Sequence, residues 1–74
     1  MEYYGRRDWM AAARRKRGVT QAQAAQHARV SLTFYQKLES GEKNPGLRVA
    51  LDLADLLGVD VRMFVTRAPS ERPA

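Results

Sequence analysis

Residues 20–39, TQAQAAQHARVSLTFYQKLE, read as two short helices joined by a tight turn. Thr20 stands where an N-cap belongs. Gln23, three residues on, completes a capping-box pattern, in which the two side chains satisfy backbone N–H groups reciprocally. The helix so started is expected over residues 20–28. Its inner face, Ala24, Ala25 and Ala28, is unusually small, which lets another helix approach closely. Arg29-Val30 is the turn, with Val30 expected to plug the gap between helices. Ser31 caps the next helix, expected over residues 32–40, and Gly41 ends it. In that helix Tyr35 and Leu38 lie at i, i+3 and should point inward. Leu32, Thr33, Gln36 and Lys37 lie at i, i+1, i+4 and i+5 and should point outward.

The flanking sequence completes an all-α bundle. Asp8 is expected to cap a first helix over residues 9–17, stopped by Gly18, with Trp9, Met10 and Ala13 on one face. Residues 42–46, EKNPG, are rich in turn formers. A fourth helix is expected over residues 47–57, closed by Gly58, and Asp60 is placed to cap a last short helix through Val65. Residues 1–7 thus read as an N-terminal arm and residues 8–65 as one domain. Residues 66–74, TRAPSERPA, have two prolines and no apolar period, and read as a disordered tail.

Size and composition narrow the function. A chain of 74 residues supports one domain with a thin core, since a domain this small buries only about 60% of its unfolded surface. It has no cysteine, which removes disulfides, thiolate chemistry and most zinc arrangements. His27 is the single histidine and is expected to be exposed. The acidic residues are scattered, and Asp52 with Asp55 read as a solvated strip beside Arg48. The glycines are spaced as helix stops and turns, not as a phosphate-binding loop. No enzyme, cofactor or metal site is expected. The N-terminus lacks the apolar run of a signal peptide. The most apolar stretch, residues 47–65, is broken by charges and does not span a bilayer. A cytoplasmic setting is the expectation.

The charge is unevenly placed. The formal net charge is +5 and the pI about 10.2. Residues 1–43 hold nine Lys/Arg against four Asp/Glu, whereas residues 44–74 hold four of each. The whole excess therefore lies with the paired helices. A basic surface can simply be soluble, but this segregation points to a phosphate-facing surface. The cluster Arg14 to Arg17 has a second explanation, because cations favour the negative end of a helix dipole. A short helix held out from a compact body fits the major groove of B-form DNA. The A-form major groove of RNA excludes it.

Gly18-Val19-Thr20-Gln21, Ala25, Val30-Ser31, Leu38-Glu39, Gly41, Asn44-Pro45 and Leu57-Gly58-Val59 form an ordered set. With its spacing, this set resembles the XRE or Cro/repressor-type helix-turn-helix domain over roughly residues 8 to 65. Tyr4-Gly5-Arg6 with Trp9, and Phe34-Tyr35, look nearest to compact phage- and prophage-type regulators. The resemblance implies a compact five-helix, lambda repressor-like bundle. It implies that Gln21 grips a DNA phosphate and braces the recognition helix, and that Leu32, Thr33, Gln36 and Lys37 reach base edges. The chemistry suits that role: Lys donates to guanine, Gln pairs with adenine, Thr suits either, and Leu touches a thymine methyl. It also implies an ion pair between Arg14 and Glu39, which leaves Arg15, Arg17 and Lys43 as phosphate contacts. Arg6 and Arg7 are either arm contacts or solvated. Two departures stand out. Arg29 occupies a turn position that is usually glycine in this family, and Ala24 replaces a larger apolar residue. Phe34 is then either a core filler for that space or a base-stacking residue.

Residues 47–57 are more apolar than one buried face needs. Leu47, Ala50, Ala54 and Leu57 form one stripe and Val49, Leu53 and Leu56 another. A helix apolar on most sides is buried on most sides. One expectation is a homodimer surface of Val49, Leu53, Leu56, Met63 and Phe64. The other is a helix central in its own bundle, covered by Tyr3 and Tyr4. Two functions follow: a double-stranded DNA-binding regulator, repressing as a dimer on a palindrome, or a protein-binding module such as the antitoxin of a toxin pair.

Overall fold

The computed structural model describes residues 6–64. The expectations for Tyr3, Tyr4 and the 66–74 tail lie outside the described residues. Four α-helices follow in order: α1 (Asp8–Lys16), α2 (Gln21–Ala28), α3 (Leu32–Ser40) and α4 (Leu47–Leu57), then one 3-10 turn, Val61–Phe64. No strand occurs among the described residues.

The caps account for the middle of the chain. Thr20 Oγ1 accepts from the Gln23 amide at 3.1 Å, and Gln23 Oε1 accepts from the Thr20 amide at 2.9 Å. Ser31 Oγ accepts from the Phe34 amide at 3.0 Å. Gly41 ends α3 in the left-handed region, φ 88°, a conformation that costs glycine nothing. Between α2 and α3 the same region is occupied by Arg29, at φ 58° and ψ 47°.

Two local expectations are corrected. Asp8 is the first residue of α1 and not its cap; Arg7 precedes the helix, and no side chain caps it. The entry is set instead by Arg7, whose amide donates to the Glu39 carbonyl at 2.7 Å. Asp8 still lies in the first turn, where a carboxylate favours the helix dipole. Second, the last element is one 3-10 turn rather than a fifth α-helix. Asp60 does start it: its Oδ1 accepts from the Arg62 amide at 2.9 Å and its carbonyl from the Met63 amide at 3.0 Å. Four residues close only one turn, a length at which i→i+3 bonding is usual.

Met10, Ala24, Ala28, Tyr35, Leu38 and Leu53 have no exposed surface. α2 packs on both α3 and α4, and its alanine face permits that double approach. Phe34 and Val30 are partly buried and pack against this core, so Phe34 is a filler. Trp9 meets Phe64 edge to face, with ring centroids 5.0 Å apart, and so closes the 3-10 turn over α1. Each fully buried leucine here contributes about 1.5–3 kcal/mol relative to exposure.

The five residues expected as a homodimer surface are not a surface. Val49, Leu53 and Phe64 are buried in the core, and Leu56 is partly buried against it. Only Met63 is exposed. α4 is central in its own bundle, held between α2, α1 and the 3-10 turn. Its outward apolar residues are Leu47, 74% exposed, and Leu51, 48% exposed. Arg48 ties α4 to α2: its Nη1 donates to the Ala28 carbonyl at 3.0 Å and to Asp52 Oδ2 at 2.9 Å.

Candidate nucleic-acid interface

α3 divides its residues between two faces. Tyr35, Leu38 and Glu39 are buried, which anchors the helix. Leu32, Thr33 and Gln36 are exposed on the opposite side, and Lys37 is half-buried beside them. The α3 N-terminus follows directly on the Arg29-Val30 turn. Further along α3, Gln36 and Glu39 meet the N-terminus of α2 through the Gln21 side chain, at 3.2 and 3.0 Å. A shallow groove between the helices is lined by Arg15, Thr20, Gln21, Ala22 and Leu32. It combines an exposed cation, the positive end of the α2 dipole and an apolar side chain. Amides at a helix N-terminus with a nearby cation suit an anion such as a phosphate.

Beneath this surface lies one carboxylate. Glu39 Oε2 accepts from Arg14 Nε at 2.8 Å and from the Tyr35 hydroxyl at 2.7 Å; its Oε1 accepts from Gln21 Nε2 at 3.0 Å. Arg14 also donates through Nη1 to the Val19 carbonyl at 3.0 Å. Groups on three helices thus converge on one residue. Burial works against the charged form of Glu39, but hydrogen bonds from Arg14, Tyr35 and Gln21 outweigh it. The carboxyl is held below its usual range. The hydrogen bond to Glu39 pushes Arg14 above its own usual value. Burial first, and donation to Glu39 second, raise the Tyr35 phenol. Among the described residues no buried side-chain polar atom lacks a partner, so this network is satisfied. Removing one side of such a buried pair costs about 3–5 kcal/mol.

Arg15, Lys43, Arg17 and Arg7 do not share one surface. Arg15 lines the groove, and Lys43 is exposed beyond the α3 C-terminus, where its amide donates to the Lys37 carbonyl at 3.2 Å. Arg17, expected on phosphate, is turned away: its guanidinium lies against Gly58 at the end of α4. There it faces the negative end of that helix dipole. Arg7, expected on phosphate or in solvent, does neither. It is buried, and its guanidinium donates to the Leu38 carbonyl at 2.6 Å, the Lys43 carbonyl at 3.0 Å and Asn44 Oδ1 at 2.7 Å. It closes the C-terminal end of α3 and shapes the following loop. No local signal marks this, because its partners lie more than thirty residues away. The Tyr35 hydroxyl has a local signal that the sequence reading above does not use: Tyr35 and Glu39 lie at i, i+4 on the inward face.

Among the described residues no group of three His, Cys, Asp or Glu side chains could hold a metal ion. No helix among them is long and apolar enough to cross a membrane. The chain matches the family described as Helix-turn-helix over residues 10–64. It is similar to a Bacillus subtilis (strain 168) protein named "Uncharacterized HTH-type transcriptional regulator YqaF". The identity is 29% over 58 residues, covering 78% of this chain and 76% of that protein. These likenesses support a DNA-binding transcriptional regulator, and the chain belongs to the XRE-type helix-turn-helix family.

Proposed function

We propose that this protein is a sequence-specific regulator of double-stranded DNA, a repressor or autorepressor that lays α3 in the major groove. One observation carries the reading. The outer face of α3, with Leu32, Thr33, Gln36 and Lys37, is available to a partner while Tyr35, Leu38 and Glu39 fasten the helix from behind. Leu32, Thr33, Gln36 and Lys37 are then the base-contacting set. Gln21, Arg15 and Lys43 are the phosphate contacts, and they position without specifying. Two copies would occupy half-sites of a palindrome one helical turn apart, about 34 Å. The protein would act in the cytoplasm.

Selection of sites from random duplex DNA tests this, followed by the salt dependence of the winning site. A recovered consensus with a steep negative salt slope is the expected result. A bound population without consensus would refute sequence reading, and a consensus without dyad symmetry would refute the dimer.

A protein-binding role, such as an antitoxin's, is the second reading. It is favoured by the exposed Leu47, Leu51 and Met63, on elements that carry no part of the reading face. The purified protein binding its site alone, and remaining folded alone, would favour the first reading.

A further inference from the structure

We infer that Arg7, itself out of reach of DNA, is a positioning residue for phosphate binding: it locks the loop after α3 so that Lys43 meets the duplex backbone in register with the bases under α3. This rests on the proposed entry of α3 into the major groove and on Lys43 as a phosphate contact. It goes beyond them in giving a binding role to a buried side chain at the entry to α1.

Residues 41–46 belong to no helix, so regular backbone bonding does not fix Lys43, and its side chain is exposed. Lys43 is nonetheless held on both sides. Its amide donates to the Lys37 carbonyl at 3.2 Å, and its carbonyl accepts from Arg7 Nη1 at 3.0 Å. The neighbouring Asn44 Oδ1 accepts from Arg7 Nη2 at 2.7 Å. Arg7 is in turn fastened to α3. Its amide donates to the Glu39 carbonyl at 2.7 Å, and Nη1 donates to the Leu38 carbonyl at 2.6 Å. One planar guanidinium thus bridges helix and loop, which its fork of donors permits. The placement of Lys43 relative to Lys37, on the reading face, is set before any duplex arrives.

Arg7 does not take the phosphate itself. The residue is 4% exposed, and both of its Nη atoms are engaged. Its effect on DNA must run through what it holds. A loop left free would have to be ordered as the phosphate was bound, and that cost falls on affinity; a loop held beforehand avoids it. Phosphate contacts also fix a protein's register and orientation on the duplex. A Lys43 tied to the end of α3 therefore presents its ammonium at one distance from the reading side chains.

The test is a double-mutant cycle on binding. Fluorescence anisotropy gives affinities for a selected duplex and an unrelated one, using wild type, Arg7→Ala, Arg7→Lys, Lys43→Ala and Arg7→Ala with Lys43→Ala together. Circular dichroism establishes that each is folded at the assay temperature. Lys43→Ala should weaken both duplexes alike and lower the salt slope by about 0.9, so that the wild type's advantage over it shrinks roughly 3.5-fold between about 50 and 200 mM salt. Arg7→Ala should also weaken both duplexes alike, by roughly fivefold, the cost of ordering one loop residue. Added to Lys43→Ala it should weaken neither further. Arg7→Lys keeps the charge but ends in one nitrogen instead of a fork, and should bind as weakly as Arg7→Ala. Wild-type affinity in Arg7→Ala overturns the inference. So does a loss that adds to that of Lys43→Ala, or wild-type affinity restored by Arg7→Lys, which would make charge the cause. Where the Arg7 variants do not fold, Asn44→Ala decides, since it loosens the loop and leaves Arg7 bonded to α3. It should show a smaller loss that vanishes beside Lys43→Ala; no loss, or one that persists there, overturns the inference. Lys43→Ala binding as wild type removes the contact that Arg7 positions, and overturns the inference while the regulator reading stands. A wild type that binds no duplex refutes that reading itself.

Discussion

Replacing Arg29 with glycine should make the protein more stable. Among the described residues Arg29 is the non-glycine at positive φ, 58°, with ψ 47°. The left-handed region brings an L-residue's Cβ too close to the following carbonyl oxygen, at a cost of about 1–2 kcal/mol. Glycine removes that contact but loses more backbone freedom on folding, about 0.5–1 kcal/mol. The net expectation is a gain of about 0.5–1 kcal/mol. Little opposes it. Arg29 is exposed, and the turn's bonds, Arg29 N–H to the Gln26 carbonyl at 3.1 Å and Val30 N–H to the Ala25 carbonyl at 3.0 Å, are made by backbone that glycine retains. For a domain of this size that gain raises Tm by about 2–8 °C. Thermal unfolding followed by far-ultraviolet circular dichroism measures it. Arg29→Ala is the control, because alanine keeps the Cβ and should not reproduce the gain. A Tm for Arg29→Gly at or below wild type, or an alanine variant that matches it, would show that the turn is not strained.

Three further outcomes are expected. Lys37→Ala should weaken binding to the preferred duplex by about 1–3 kcal/mol and spare nonspecific binding; Arg15→Ala should weaken both alike and lower the salt slope by about 1, and fluorescence anisotropy across a salt series separates the two. Arg7→Ala removes the guanidinium donors from the Lys43 carbonyl and Asn44 Oδ1 and leaves the Leu38 carbonyl to the Gly41 amide alone, costing about 1–3 kcal/mol, and hydrogen exchange should quicken first at the end of α3; exchange that quickens evenly throughout would count against a local clamp. Stability should fall at both pH extremes. Glu39 has a depressed folded pKa, so its contribution is present above the unfolded carboxyl range, about 4.3, and is lost as pH falls through the folded value. The raised Tyr35 phenol works in the opposite sense: its contribution is present below about pH 10 and is lost as pH rises towards the folded value. Denaturant midpoints of wild type and Tyr35→Phe across the alkaline range should converge, and parallel curves would argue against the tyrosine.

Local signals carried most of the fold. Thr20 with Gln23, Ser31, Gly41 and Gly58 each act within a few residues, so the starts of α2 and α3 and the ends of α3 and α4 are legible in the chain. The alternation of Tyr35 and Leu38 with Leu32, Thr33 and Gln36 likewise gave the two faces of α3, because helical period alone decides them. Asp8 reads as a cap from local signals alone, because the true entry to α1 depends on Arg7 bonding across the molecule. Arg17 reads as a phosphate contact once the resemblance pairs Arg14 with Glu39, whereas its direction is set by the end of α4, forty-one residues later in the chain. The apolar surplus of α4 was ambiguous for the same reason: period shows that two stripes exist, but not which neighbours cover them. The candidate site is therefore legible where one helix determines it, and illegible where a side chain's direction depends on distant backbone.

The clamp made by Arg7 has a practical corollary for anyone tagging this protein. Residue 7 is fastened to the exit of α3, so a reporter joined closely upstream is tethered next to the probing helix. Attachment there, through a short linker, should crowd an incoming duplex, and a reduced affinity measured with such a fusion would describe the label more than the protein.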